Sequence, residues 1–421
     1  MSPQAQTVAP NQRETRTISD MIVDRLSRVT SSGSFIPEID GLRFFAIASV
    51  VLFHINTYVV NKSPLDFAST VTHHPLNLMF QQGFIGVSLF FTISGFILSL
   101  PFAIRYLQGR SSPSLGSYYM RRVTRLEPPY IINMFLTFLL LIVVKNESAR
   151  DLFPHLLASL SYSHNIIYEQ FSFINGVAWS LEIEVQFYLL APLLCKVFLI
   201  RQAFWRRLFF IIIVLCGYGL SAVTHALGYT YVSLFDYLQF FLVGFFLTDL
   251  YIVNWQKQPD QEPLWDLWAT ACWILIFAIA RQWYSAYLTP MLILVSYTAA
   301  FRGRIWNQIV SNRWIATIGS MCYTIYLYHY WIISLVGRLS VTFALTHHYW
   351  INILFQIFIL SAAVLVASSM FFILFEKPFM YKDWPNKLRL LNHAEKAVAD
   401  ASDTGSAHVY GTPDPRRAAK R

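Results

Sequence analysis

Ten apolar runs, each close to the roughly 20 residues that a helix needs to cross a bilayer core, occupy the sequence between residues 41 and 375. They cover 41–60, 83–104, 129–145, 178–199, 207–225, 232–250, 266–281, 286–302, 314–337 and 351–375. In lipid every backbone N–H and C=O must be bonded within the chain, so only helices and closed barrels cross. Runs of this length predict helices, and the chain reads as an all-α, polytopic membrane bundle of about ten transmembrane helices. Composition agrees: only 13% of the 421 residues are charged, against about 25% in a soluble domain. The stretch 152–168, broken by Pro154 and dotted with serines, reads as a re-entrant or lumenal segment.

Charge sets the expected orientation. If both termini are cytoplasmic, all but five of the 32 Lys and Arg residues lie inside, the exceptions being Lys62, Lys145, Arg150, Arg281 and Arg338. That asymmetry follows the positive-inside rule, and the net charge of +9 needs no nucleic-acid partner. Residues 1–34 and 385–421 are too polar to bury a core and are expected to be disordered cytoplasmic tails. The segment 35–384 is then the integral membrane domain, in the cell (inner or plasma) membrane. The first apolar run is long enough to stay as an anchor instead of being a cleaved signal. The four cysteines fall within spans or at their ends and read as packing residues. The adjacent pairs His73–His74 and His347–His348 are assigned no role, and no metal is expected.

Ionisable groups at membrane depth are costly and mark function by default. In "EIDGLRFFAIASVVLFH", Arg43 and His54 are eleven residues apart, a rise of about 16 Å on a helix and within about 20° of three full turns. One face therefore carries an arginine at the mouth and a histidine near the bilayer middle, with Asp40 about 40° off the stripe. The pattern suits a ligand threaded inward with its anionic part at the mouth. It also suits a histidine bonded to a neighbouring helix and an arginine reaching lipid phosphate. Arg121, Arg122 and Arg125 in "YYMRRVTRLEPPY" read equally as topology anchors and as a phosphate clamp. Glu182 and Glu184 point about 200° apart on a helix, so they do not both face one site. Tyr323, Tyr326 and His329 share one face and form either an interfacial aromatic belt or the wall of a polar cavity.

Taken in order, these motifs resemble the acyltransferase-3 family of integral membrane acyltransferases over residues 37 to 378. "IPEIDGLRFFAIASVVLFH" is similar to the family's opening motif, with Arg43 and His54 at its Arg-x10-His spacing. "GFIGVSLFFTISGFILS" resembles its second-span signature, and "RRVTRLEPPY" its Arg-x-x-Arg element, on Arg122 and Arg125. "WSLEIEVQFYLLAP" is similar to its Trp-Ser-Leu-x-x-Glu-x-Gln-Phe-Tyr stretch, which selects Glu184. "YTIYLYH" and "FEKP" resemble its last two landmarks. The sequence departs from the family pattern at Glu182, where Ser is frequent, at Val185, where a second acid is frequent, and at Tyr328, where Trp is frequent.

The resemblance implies an enzyme that moves an acyl group, commonly acetyl, from cytoplasmic acyl-CoA to a hydroxyl of a carbohydrate or glycoside acceptor. Such acceptors often belong to the cell envelope or to exported polysaccharide. It implies that Arg43, Arg122 and Arg125 hold the phosphates of coenzyme A. His54 would act as general base or carry the acyl group itself. Glu184 would orient His54 or bind sugar hydroxyls, and Tyr326 and His329 would contact the acceptor. The alternative is a proton-coupled transporter of a small polar or sugar-like solute, since carriers also place His and Arg near the midplane. That class predicts paired hydropathy repeats, which the sequence does not clearly show.

Overall fold

The computed structural model describes residues 17–29, 35–110, 114–256, 259–279, 282 and 284–381, and among them the chain is helical with no strand. Six helical stretches are long and apolar enough to cross a membrane: Pro37–Lys62, Pro75–Gln108, Leu115–Lys145, Ala203–Ala226, Leu234–Asn254 and Tyr349–Met380. The other four expected spans form shorter or broken helices. Trp179–Leu194 continues as a 3-10 turn through Leu199, and Leu264–Ile279 and Ser285–Arg302 are separate helices. The expected run 314–337 is interrupted at Met321, giving Arg313–Ser320 and Cys322–Ser340.

The stretch 152–168 forms two short helices, Ala149–Leu160 and His164–Tyr168. Twelve residues rise only about 18 Å, too little to span a core of about 30 Å. Within the expected N-terminal tail, Ile18–Leu26 is a helix, because Thr17 and Asp20 form a reciprocal capping box at its start. Residues 1–16, 30–34 and 385–421 of the expected tails, and the expected topology markers Lys257 and Arg281, lie outside the described residues.

Two hydrophobic cores meet at the Pro37–Lys62 helix. Its Ile39, Leu42 and Ala46 pack with the Gly86–Gln108, Leu234–Asp249 and Ser285–Arg302 helices. Its Ile47, Val51, Ile55 and Val59 pack with the Leu115–Lys145, Cys322–Ser340 and Tyr349–Phe371 helices. The Gly86–Gln108 and Leu234–Asp249 helices approach so closely that a Cβ on Gly95 would lie 2.0 Å from the Phe241 carbonyl oxygen, and one on Gly244 2.2 Å from that of Thr92. In a membrane, where burial against lipid gives helices little reason to associate, small residues supply such contact. Ser99 and Thr248 add a hydrogen bond of 2.8 Å across the same interface.

Some buried polar side chains at the arginine end of the bundle, where Pro37 begins its helix, find partners. Arg206 is buried and reaches Asp249 at 2.5 Å, and Arg207 reaches the other Asp249 oxygen at 2.7 Å. Glu376, of the "FEKP" landmark, is buried at the end of a π-helical turn, Phe372–Glu376. There it accepts from the Thr324 backbone N–H at 3.1 Å and from the Thr324 hydroxyl. The break at Met321 frees those donors, and the carboxylate caps the helix that begins at Cys322.

Candidate active site

The seam between the two cores opens into two chambers. One, of about 120 Å³, lies toward the arginine end and is lined by Arg43, Arg122, Arg125, Ser94, Glu184 and Tyr326, among others. The second, of about 550 Å³, lies toward the opposite end and is lined by His54, Ser88, Asn175, Trp179, Tyr237 and Tyr330, among others. Val50 and Val87 line both, so the two chambers share part of their walls. His54 follows Val50 by four residues, one turn along the same helix face.

The arginine chamber carries three cations and one carboxylate, so its field favours anions. Arg43 Nη1 bonds Asp40 Oδ1 at 2.5 Å. The Arg122 guanidinium stands over the Tyr118 ring, 5.7 Å from its centroid, and its buried Nε has no hydrogen-bond partner among the described residues. Glu184 accepts a hydrogen bond from the Ser94 hydroxyl. Glu182 points away: it is buried and accepts the Asn165 backbone N–H at 2.9 Å. The two acids thus separate as their spacing requires, one into the chamber and one onto the loop backbone.

His54 is held by rings. Its centroid lies 5.0 Å from that of His329, 5.4 Å from that of Tyr330 and 4.9 Å from that of Phe53. His329 is fully buried, and its Nδ1 lies 2.8 Å from the Tyr326 carbonyl oxygen and 3.0 Å from that of Ile325. Both partners are acceptors only, so Nδ1 carries the proton. In the neutral ring Nε2 then keeps a lone pair, and that nitrogen has no hydrogen-bond partner among the described residues.

Tyr326 lines the arginine chamber. Its hydroxyl donates to the Val177 carbonyl and lies 3.0 Å from Ser180 Oγ. The segment Phe171–Val177 that it holds walls the larger chamber. Asn175 anchors the same segment, donating to Asn133 Oδ1 at 2.9 Å and to the Leu327 carbonyl at 3.2 Å.

The structure brings Arg43, Arg122, Arg125, Glu184 and Tyr326 to one chamber, and packs His54, which lines the other, against His329. Sequence reasoning missed Ser94 as the partner of Glu184, and it missed Asn175. The serine was one of several small residues whose packing role was sufficient explanation. The asparagine sits in a loop with no periodicity to flag it.

Residues 36–372 match the family model described as an acyltransferase domain. The chain is 26% identical over 341 residues to the peptidoglycan O-acetyltransferase OatA of Listeria monocytogenes, an alignment covering 72% of this chain and 50% of that protein. It is 24% identical over 330 residues to a Staphylococcus aureus protein named "Putative O-acetyltransferase SACOL0978", covering 72% of this chain and 51% of the other. The chain therefore spans about half the length of these relatives. No solved structure is significantly similar to it.

Proposed function

The chain belongs to the acyltransferase-3 family of acyltransferase domains, and from that premise we propose that it moves an acyl group, most simply acetyl, across the membrane seam. The donor is acyl-CoA at the arginine end, and the acceptor is a hydroxyl of a carbohydrate or glycoside at the other. The observation that carries this reading is that His54 lines the larger aromatic-walled chamber one helical turn from Val50, which also lines the anion-attracting one.

Acyl-CoA is a substrate here, and the residues present suit it. Guanidinium forks bind phosphate bidentately, and the unpartnered buried Nε of Arg122 is a donor that an anionic ligand would satisfy. A narrow chamber suits an extended thioester arm better than a whole nucleotide. His54 takes the proton from the acceptor hydroxyl as its oxygen bonds the thioester carbonyl carbon. The carbon–sulfur bond then breaks, and the leaving thiolate takes the proton back from the imidazolium. His329, whose ring lies 5.0 Å from that of His54 and whose Nε2 lone pair has no partner among the described residues, would fix which His54 nitrogen is basic by accepting the other N–H as the rings close up. Glu184, held by Ser94, orients groups on the donor side.

Aromatic walls on the larger chamber suit the apolar faces of sugar rings, and the name of the Listeria relative supports an envelope polymer as the acceptor class. Ten crossings with both ends cytoplasmic would place the arginine chamber where acyl-CoA is made. The six long helices, the four shorter ones and the Lys/Arg asymmetry of the sequence support that topology, with 35–384 as the membrane domain in the cell membrane.

Sealed inside-out and right-side-out vesicles supplied with labelled acetyl-CoA test the direction. Label is expected on hydroxyl acceptors only when the donor bathes the cytoplasmic face. Equal incorporation from either face contradicts the two-chamber reading.

A further inference from the structure

Residues 17–29 precede the segment matched by the family model, yet they are pinned to the arginine end of the bundle. Arg313 Nη2 donates to Asp20 Oδ1 at 2.8 Å and to Ser19 Oγ at 3.2 Å. Lys377 Nζ caps the end of the Ile18–Leu26 helix, donating to the Asp24 carbonyl at 2.9 Å and the Arg25 carbonyl at 2.7 Å. Ser320 Oγ donates to the Leu26 carbonyl at 3.0 Å. These anchors deliver Arg28 to Asp40.

Asp40 is completely buried, and its two oxygens face two arginines. Oδ1 lies 2.5 Å from Arg43 Nη1 and Oδ2 lies 3.0 Å from Arg28 Nε. The Arg28 side chain is itself 12% exposed. The close approach of the neighbouring helix is permitted by Gly319, where a Cβ would lie 1.7 Å from the Asp40 carbonyl oxygen. Arg43 is the member of this trio that lines the chamber.

Charge counting gives Arg28 a task. An Asp40–Arg43 pair alone is neutral and would offer little attraction to an anion. With Arg28 added the trio carries one net positive charge, and Asp40 no longer cancels Arg43. We propose that Arg28 is a positioning residue for the donor site: by sharing Asp40 it leaves Arg43 effective toward the anionic part of the donor. The segment 17–29 is then part of this protein's acyl-donor site although it lies outside the family-matched segment. This inference rests on the reading of the arginine chamber as the donor site.

The test compares KM for acetyl-CoA and kcat in membranes for Arg28→Gln, Arg28→Lys and Arg28→Gln/Asp40→Asn, with equilibrium binding of free CoA to the purified protein alongside. Arg28→Gln is expected to raise KM and the CoA dissociation constant about tenfold with kcat within about twofold, as for loss of one charge-assisted contact. Arg28→Lys, which restores the charge, is expected to recover most of that loss. Removing the Asp40 charge as well is expected to do the same, an outcome that a merely structural role would not produce. An unchanged KM in Arg28→Gln, or a Lys variant no better than the Gln variant, overturns the assignment. Arg122→Gln separates the two levels. If it raises KM while Arg28→Gln does not, only the role of Arg28 fails; if neither does, the donor reading fails with it.

Discussion

The imidazole rings of His54 and His329 stand 5.0 Å apart, and His329 is oriented by the Tyr326 carbonyl, 2.8 Å from its Nδ1. The pair joins the central Pro37–Lys62 helix to the Cys322–Ser340 helix, and its His54 lines the larger chamber. If His329 sets the orientation and tautomer of His54, His329→Ala lowers kcat about 100-fold, the scale on which small misplacements of a reacting group act. KM for acetyl-CoA is expected to stay within about twofold. Steady-state kinetics on membranes with matched protein levels checks this.

Glu184 and Glu182 should separate functionally. Glu184 lines the arginine chamber and is held by Ser94, whereas Glu182 is bonded to the Asn165 backbone. Glu184→Gln is expected to reduce kcat/KM more than tenfold without lowering thermal stability in detergent. Glu182→Gln is expected to do the reverse. Ser94→Ala removes one hydrogen bond to a carboxylate, about 1.5–3 kcal/mol, and should produce a milder form of the Glu184→Gln defect.

Asp249 serves the fold. It holds the buried Arg206 at 2.5 Å and Arg207 at 2.7 Å. Asp249→Asn leaves a buried guanidinium without its counter-charge, which costs about 3–5 kcal/mol. The melting temperature in detergent should drop by several degrees, while activity per folded molecule stays near that of the parent.

The docked N-terminal helix has a defined pH range. Asp20 is bonded to Thr17 and paired with Arg313, which holds its carboxyl down at about 2 from an ordinary value near 3.8. A group with a depressed folded pKa contributes stability that is full above its unfolded value and is lost as pH falls through the folded one. Amide hydrogen exchange over residues 17–29, corrected for intrinsic rates, should therefore be flat from pH 8 to pH 5. Protection should fall only below about pH 4.

Much of the arrangement was legible in the sequence. The three-turn spacing of Arg43 and His54 needs only helix geometry, and the divergence of Glu182 and Glu184 follows from the same 100° step. Partners far apart in the chain were not legible. Ser94 meets Glu184 across 90 residues, and His54 meets His329 across a larger gap, so each pairing depends on which helices are neighbours. Periodicity within one helix carries no such information. The break at Met321 was hidden for a related reason: an apolar run does not record where its backbone turns, and Glu376, which caps the new helix end through Thr324, lies 52 residues beyond that threonine.

The central claim is that His54 performs the transfer between the chambers. The most direct measurement follows label from acetyl-CoA into hydroxyl acceptors in membranes carrying the parent protein or His54→Ala at equal abundance, with CoA binding measured on both. The account predicts that label incorporation is abolished in the variant while CoA binding is kept. Undiminished incorporation by His54→Ala would contradict it.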